Sequence, residues 1–279
     1  MTLTIASVNV NGIRAAMRNG MGDWLSTRKP DIVLLQETRA PATIVEEFFP
    51  GQDGWHVAVS ECAIKGRAGV AVVSQLPIAD TRAGVHPATP DAGEEPPVDT
   101  GRWLEADIDV PHAPTGVLTV TSAYLHSGNN YPGYEASMEA KYAHLDRTTQ
   151  RLADLATSPT PTLVAGDLNI AHTKRDIKNW RTNQTHAGFL PEERAYVTQW
   201  IDEQGWQDTA RALHPDVDGP YTWWSWRGQA FANDSGWRID YQLANPALAP
   251  AATQATVDKA ADRAGRWSDH APLVVTWEF

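Results

Sequence analysis

The chain has 279 residues, 42% of them apolar, and a formal net charge of −11 at pH 7. That apolar share suffices for a sizeable core, no apolar run approaches the roughly 20 residues that span a bilayer, and the acidic balance argues against a protein that coats nucleic acid without selection. Cys62 is the only cysteine, which leaves no internal disulfide and no thiolate zinc site and fits a reducing, cytoplasmic setting. The first nine residues lack a basic start and an unbroken apolar run, so they do not read as a signal peptide.

Residues 3–8 alternate and predict a strand. It runs into Asn9-Val10-Asn11-Gly12, where amides two residues apart share one side of an extended chain. Residues 13–28 carry the spacing of an amphipathic helix, loosened by Gly20 and Gly22 and stopped by Pro30. Residues 31–37 predict a buried strand closed by Glu37, a charge that needs a partner. Residues 55–59 and 69–74 predict two more strands, with a basic, glycine-bearing loop at 65–69. Residues 77–101, with many Pro, Gly, Asp and Glu, predict a surface excursion.

Residues 102–108 alternate as a strand half exposed to water, and residues 117–124 predict another. The latter ends in Tyr124-Leu125-His126-Ser127-Gly128-Asn129-Asn130. A long, charged helix is predicted from about residue 134 to 156. The stretch Thr162-Leu163-Val164-Ala165-Gly166-Asp167-Leu168-Asn169 is an apolar run that ends in a carboxylate and an amide on one side. Gly166 permits a sharp exit or a close backbone approach. Alone, the pair reads as an Asx turn; the recurrence of such groups at other strand ends shifts the balance.

Residues 172–181 hold Lys174, Arg175, Lys178 and Arg181, the most basic segment of an acidic chain. Beside an active strand they are placed to grip phosphate. Pro191 opens a helix with Glu192 and Glu193 in its first turn, where the dipole favours them. Residues 222–226 and 237–243 predict strands joined by a polar loop, and residues 271–277 the last strand, just after Ser268-Asp269-His270. Trp223, Trp224, Trp226 and Trp237, four of twelve tryptophans, are either dense core or a stacking surface. No linker and no repeat period is visible. Residues 1–279 are therefore expected to form one domain, a layered α/β protein with two packed sheets. Each half ends a core strand with Asn or Asp beside Gly, a weak internal likeness.

The polar strand ends are Asn9 and Asn11, Glu37, Asp167 and Asn169, Asp240, and Asp269 with His270; Tyr124 is a further candidate. Oxygen donors without sulfur suit Mg²⁺ or Mn²⁺ rather than zinc. A histidine held by an acid can move a proton or stabilise developing negative charge.

Ser7-Val8-Asn9-Val10-Asn11-Gly12-Ile13-Arg14, Leu35-Gln36-Glu37-Thr38, Gly166-Asp167-Leu168-Asn169, Gly188-Phe189-Leu190-Pro191-Glu192-Glu193-Arg194, Gly236-Trp237-Arg238-Ile239-Asp240-Tyr241 and Ser268-Asp269-His270-Ala271-Pro272 follow one another along the chain. In that order they resemble the motifs of the exonuclease III type of apurinic/apyrimidinic endonuclease. The Gly188–Pro191 and Trp237–Asp240 segments favour this branch over related sphingomyelinases and inositol phosphatases.

The resemblance implies a four-layer α/β sandwich, two facing mixed sheets flanked by helices, and Mg²⁺-dependent hydrolysis of DNA phosphodiesters. It implies Glu37 as chief metal ligand, with Asn9, Asn11 and Asp269 in or near the shell. Asp167 and Asn169 then stand by the metal, Asp167 orienting or deprotonating the attacking water and Asn169 holding that water or the phosphate. His270, oriented by Asp240, contacts a phosphate oxygen, and Tyr124 points at the scissile phosphate or the leaving group. Trp223, Trp237 and Ile239 fall where the family builds an apolar pocket for a baseless sugar.

The expected substrate is double-stranded DNA with an abasic site or a damaged 3′ end, with no membrane and no obligate protein partner. The rival readings are a relative acting on a small phosphoester or phospholipid, and a catalytically weak DNA-binding relative. The chain departs from the family after Tyr124: His126 replaces a proline, and Ser127 replaces the amide that helps bind phosphate. Asn129 and Asn130 are the nearby amides available for that role.

Overall fold

The structure, a computed structural model, describes residues 1–85 and 95–279. The chain first builds β1 (Thr2–Asn9), β2 (Ile32–Gln36), β3 (His56–Ser60) and β4 (Val70–Ser74). It then lays down β5 (Ile78–Ala83), β6 (Trp103–Asp109), β7 (Val117–Tyr124), β8 (Thr162–Asp167), β9 (Gln207–Asp208) and β10 (Asp240–Ala244), and ends with β11 (Ala252–Val257) and β12 (Leu273–Glu278). Two six-stranded sheets result, ordered β11-β12-β1-β2-β4-β3 and β5-β6-β7-β8-β10-β9. Each is mixed in the same way: β1–β2 is parallel in one and β7–β8 in the other, and every other pair is antiparallel. The weak likeness of the two halves has this counterpart in the sheets.

A parallel pair needs a crossover, and helices supply both. Between β1 and β2 run α1 (Ile13–Ala16) and α2 (Gly22–Arg28), separated by a looser turn over Met17–Met21 in which Gly20 has φ 118°. Between β7 and β8 runs α4 (Glu135–Ala156), and α3 (Ala42–Phe48) lies between β2 and β3.

The strand period of two sorts the core into layers. Leu3, Ile5, Leu34 and Val72 of one sheet share a cluster with Leu104, Val120, Leu163 and Ala165 of the other. Ala6, Val8, Val33 and Leu35 face outward beneath Ile13, Met21 and Phe49. Val164, Tyr241 and Leu243 lie beneath Leu145 and Leu152 of α4. This is the four-layer sandwich that the resemblance implies. No helix among the described residues is long and apolar enough to cross a membrane.

The structure departs from the sequence reading at the margins. Residues 78–83, expected in a surface excursion, form the edge strand β5; among the described residues it pairs only with β6, and most of its side chains are exposed. Residues 86–94 of that expected excursion lie outside the described residues. The edge strand β11 and the short helix α3 were not predicted either. Residues 222–226 are no strand: Trp223 makes only isolated bridges, to Trp237 and His270. Of the clustered tryptophans, Trp224 is buried against Phe231, while Trp226 is exposed with Arg266 over its ring at 4.1 Å.

Candidate active site

The topology brings one set of strand ends together. Parallel β1 and β2, and parallel β7 and β8, finish at the same edge. The antiparallel neighbours β10 and β12 begin there. Register pairs Asn9 with Gln36, Tyr124 with Asp167, and Asp167 with Asp240. Glu37 follows β2, and Asp269 and His270 precede β12. Gly166 makes the close packing at this edge possible: its φ is 150°, and a Cβ there would fall 1.8 Å from the Ala123 carbonyl oxygen. Asn11, Glu37 and Asn169 hold left-handed φ values of 47°, 52° and 53°. Such conformations cost about 1 kcal/mol or more each in a residue with a Cβ, and they concentrate at functional sites.

The side chains form one connected group. Asn9 Nδ2 donates to Glu37 Oε1 and to Asp167 Oδ2, 2.9 Å each, while Asn9 Oδ1 accepts from the Asn11 amide. Asn11 Nδ2 donates to Asp269 Oδ1 at 2.8 Å, and Trp223 Nε1 donates to Asp269 Oδ2 at 3.1 Å. His270 lies with Nδ1 2.8 Å from Asp240 Oδ2 and Nε2 3.6 Å from Asp167 Oδ2. The Asn169 amide donates to Asp167 Oδ1, and the Asn169 side chain to the Leu125 carbonyl. Trp223 and Trp237 meet edge to face, 6.0 Å between ring centroids. A cleft of about 300 Å³ opens here, with Glu37, Tyr124, Asp167 and His270 against a wall of Trp223, Trp237 and Ile239.

Burial first, then the nearby Asp240 and Glu37 carboxylates, push the Asp167 carboxyl up to about 7, against the pull of His270. Burial pulls His270 down, but Asp240, Asp167 and Asp269 outweigh it and raise the imidazole to about 10. The Tyr124 phenol is raised well above its ordinary value by burial and by Glu37 and Asp167, so it keeps its proton.

Without metal, these two groups, Asp167 and His270, supply stability that falls as pH rises, while His126, His144 and His172, whose imidazoles burial pulls down, work in the opposite sense. An acid raised when folded is stabilising while protonated and loses that contribution as pH climbs from about 4 to about 7. A histidine raised when folded contributes fully below about 6.5 and loses it as pH climbs toward about 10. The share of stability in chelator that Asp167 and His270 supply is therefore expected to weaken from pH 5 to pH 9, read by urea unfolding against Asp167→Asn, in which the contribution of His126, His144 and His172 is unchanged. The weakening should be smaller in Asp167→Asn, and an equal slope in that variant would refute the coupling.

Not every expected residue reaches the cleft. Lys174 and Arg181 stack on the Trp180 ring, each 4.5 Å from its centroid. Arg175 turns to the Pro215 carbonyl and to Asp216, and Lys178 is exposed; none of the four lines the cleft. Neither amide near Ser127 lines the cleft. Asn130 is spent on the Thr185 carbonyl and the Ala187 amide, and Asn129 Oδ1 accepts from Tyr131.

Three residues escaped the sequence reading. Arg39 pairs with Glu37 Oε2, and Arg102 lies over the Tyr124 ring at 4.7 Å. Lys141 is fully buried; it pairs with Glu193 at 2.5 Å and donates to the Ser127 and Asn169 carbonyls at 3.0 Å each. Glu193 Oε2 in turn accepts from the Gly188 and Leu190 amides. The signal was legible: Lys141 falls between Met138 and Leu145 in the buried stripe of α4, where a lysine needs a partner.

Residues 6–270 match the model of the Endonuclease/Exonuclease/phosphatase family. The chain is similar to the exodeoxyribonuclease of Bacillus subtilis (strain 168), 31% identical over 273 residues that cover 97% of this chain and 98% of that one. Among solved structures it is similar to an AP endonuclease from Archaeoglobus fulgidus, with TM-score 0.84, 29% identity, and coverage of 99% of this chain and 100% of the other. It is also similar to the Neisseria 3′ phosphatase NExo bound to product DNA hairpin, with TM-score 0.81, 26% identity and the same coverage. With its two mixed sheets and the acidic and histidine groups at their common edge, the chain belongs to the Endonuclease/Exonuclease/phosphatase family and, within it, to the exonuclease III branch of apurinic/apyrimidinic endonucleases.

Proposed function

We propose that this chain is a Mg²⁺-dependent DNA-repair nuclease that hydrolyses the phosphodiester 5′ to an abasic site and also trims or cleans 3′ ends. The observation that carries the reading is the meeting of Glu37, Asp167, Asp269 and an Asp240-held His270 beside the Trp223–Trp237 wall of one cleft.

The donors fit a hard cation. Carboxylate oxygens of Glu37 and Asp167 lie within 2.9 Å of a single amide nitrogen, and burial, joined by repulsion from Asp240 and Glu37, raises the Asp167 carboxyl against the pull of His270. A divalent ion would relieve that repulsion. Glu37 would hold it, with Asn9, Asn11, Asp167, Asn169 and Asp269 in or near its shell, and Mn²⁺ would substitute. Bound there, it would neutralise charge on the phosphate and on the leaving oxygen.

The protein groups do the rest. Asp167, held through Oδ1 by the Asn169 amide, orients the attacking water or takes its proton. His270 stays protonated at neutral pH because Asp240 supports Nδ1, so it stabilises charge on a non-bridging oxygen. Asn169 helps hold phosphate or water, and Tyr124, a neutral phenol, donates toward the leaving group. Trp223, Trp237 and Ile239 offer an apolar pocket to a flipped-out sugar, which costs little unstacking where no base is present.

Lys174, Arg175, Lys178 and Arg181 would grip the flanking backbone, outside the pocket. Arg181→Gln is expected to lower the slope of log Kd against log salt by about one, read by fluorescence anisotropy on abasic duplex; an unchanged slope removes that contact. A cytoplasmic location, residues 1–279 acting as one catalytic unit, and independence from a protein partner belong to the same proposal.

The deciding assay is a duplex with one abasic analogue, incubated with Mg²⁺ or with chelator. A Mg²⁺-dependent nick on the 5′ side is the expected product. Folded protein that leaves the lesion intact would overturn the reading.

A further inference from the structure

A second group of side chains able to ligate a metal lies outside the cleft. Asp99 before β6, His126 after β7 and His144 in α4 bring one ligand atom each to within 4.8 Å of one another. We infer that Asp99, His126 and His144 form a separate site for a transition-metal ion of the Zn²⁺ class. It is independent of the Mg²⁺ chemistry proposed for the cleft.

The argument starts with His144. The side chain is fully buried, and among the described residues neither of its ring nitrogens has a hydrogen-bond partner. A buried imidazole with both nitrogens idle is expensive, and such groups call for an explanation. Its neighbour is a second imidazole: His126 meets it edge to face, 5.3 Å between ring centroids. The third group supplies charge. Asp99 Oδ1 lies 2.5 Å from His126 Nε2, and Arg147 holds the other Asp99 oxygen, the kind of contact that orients ligand carboxylates.

The donor chemistry separates this site from the first. Two imidazole nitrogens and one carboxylate oxygen suit Zn²⁺ or Co²⁺, with a fourth position left for water, whereas Mg²⁺ prefers all-oxygen shells. Tetrahedral zinc places its ligands roughly 3.3 Å apart. The cation would thus replace the Asp99–His126 hydrogen bond by moving each group about an ångström or less. Burial pulls both imidazoles down, His144 to about 3, so both are neutral at physiological pH; His144 offers a free lone pair, and His126 offers one at Nε2 once the proton it donates to Asp99 moves to Nδ1. Arg102, Arg147 and Lys141 also face the group and offset part of the attraction. They limit the affinity and at the same time prevent the imidazoles from satisfying themselves by protonation.

Bound metal would pin three separate pieces of chain: the approach to β6, the exit of β7 and the middle of α4. His126 is followed by Ser127 and Gly128, which line the cleft.

The test uses the full chain, stripped with chelator and then held in excess Mg²⁺ to occupy the oxygen-rich site. Zn²⁺ uptake is measured by calorimetry, and Co²⁺ by visible d–d absorption. One equivalent per chain is expected, kept in Glu37→Gln and weakened at least tenfold in His144→Phe and Asp99→Asn. No uptake by the unmutated chain overturns the inference, as does uptake unchanged in His144→Phe. Should that variant fail to fold, proton NMR of the Co²⁺ form of the unmutated chain decides. Two strongly shifted imidazole N–H signals are expected, and none would overturn the site.

Discussion

Asp167→Asn is expected to lower kcat on abasic duplex by roughly 10²–10⁴-fold, the usual worth of a positioned general base, or about 3–5 kcal/mol of barrier. KM should change little, because Asn keeps the shape of the side chain. The geometry predicts a second effect of opposite sign. Asp167 is buried between Glu37, Asp240 and His270, with its carboxyl already raised to about 7. Neutral Asn removes a buried charge from that group while still accepting from Asn9 Nδ2. Thermal melting of the metal-free variant should therefore equal or exceed that of the unmutated chain. Single-turnover cleavage with a melt on the same sample reads both. A variant that cuts at the original rate would strip Asp167 of its proposed role, and one that melts lower would contradict the repulsion.

Lys141→Met should be the most destabilising of the substitutions considered, by about 3–5 kcal/mol, since removing one partner of a buried ion pair strands the other. Glu193 would keep the Gly188 and Leu190 amides but lose its counter-charge. The Ser127 and Asn169 carbonyls would lose their donor, and both residues line the cleft. Urea unfolding measures the loss. The double variant Lys141→Met/Glu193→Gln should recover part of it, because no uncompensated charge then remains. Equal destabilisation in single and double variants would show that packing, not charge, dominates. The folded fraction of the single variant should also cut more slowly, since Lys141 positions two carbonyl-bearing loops beside Asp167.

How much was legible depends on where the information sits. The apolar runs at 31–37 and 162–167 announced buried strands, and both are central. The edges were harder. Ile78–Ala83 and Ala252–Val257 pair on one side only and carry polar residues on much of their surface, so no apolar period marks them. Trp223-Trp224-Ser225-Trp226 misled in the other direction. Its aromatic content resembles a strand, but Trp223 joins the cleft wall and Trp224 a separate cluster with Phe231. The basic stretch Lys174–Arg181 was read as a grip on phosphate, but its position relative to the cleft was beyond reach of the sequence, because two of its cations are taken up by Trp180.

By itself the sequence determined the layered α/β class, the polar residues at the strand ends, and, through the order of its motifs, the family. Those features are local: they follow from side-chain period, turn chemistry and residue type. Only the tertiary structure decided that Asn9 touches Asp167, 158 positions away, that His270 leans on Asp240, and that Lys141 closes on Glu193. The physical reason is strand pairing. Register and direction decide which ends share an edge, and a shift of one residue turns every side chain to the opposite face, so contacts between distant segments exist only once both sheets have formed.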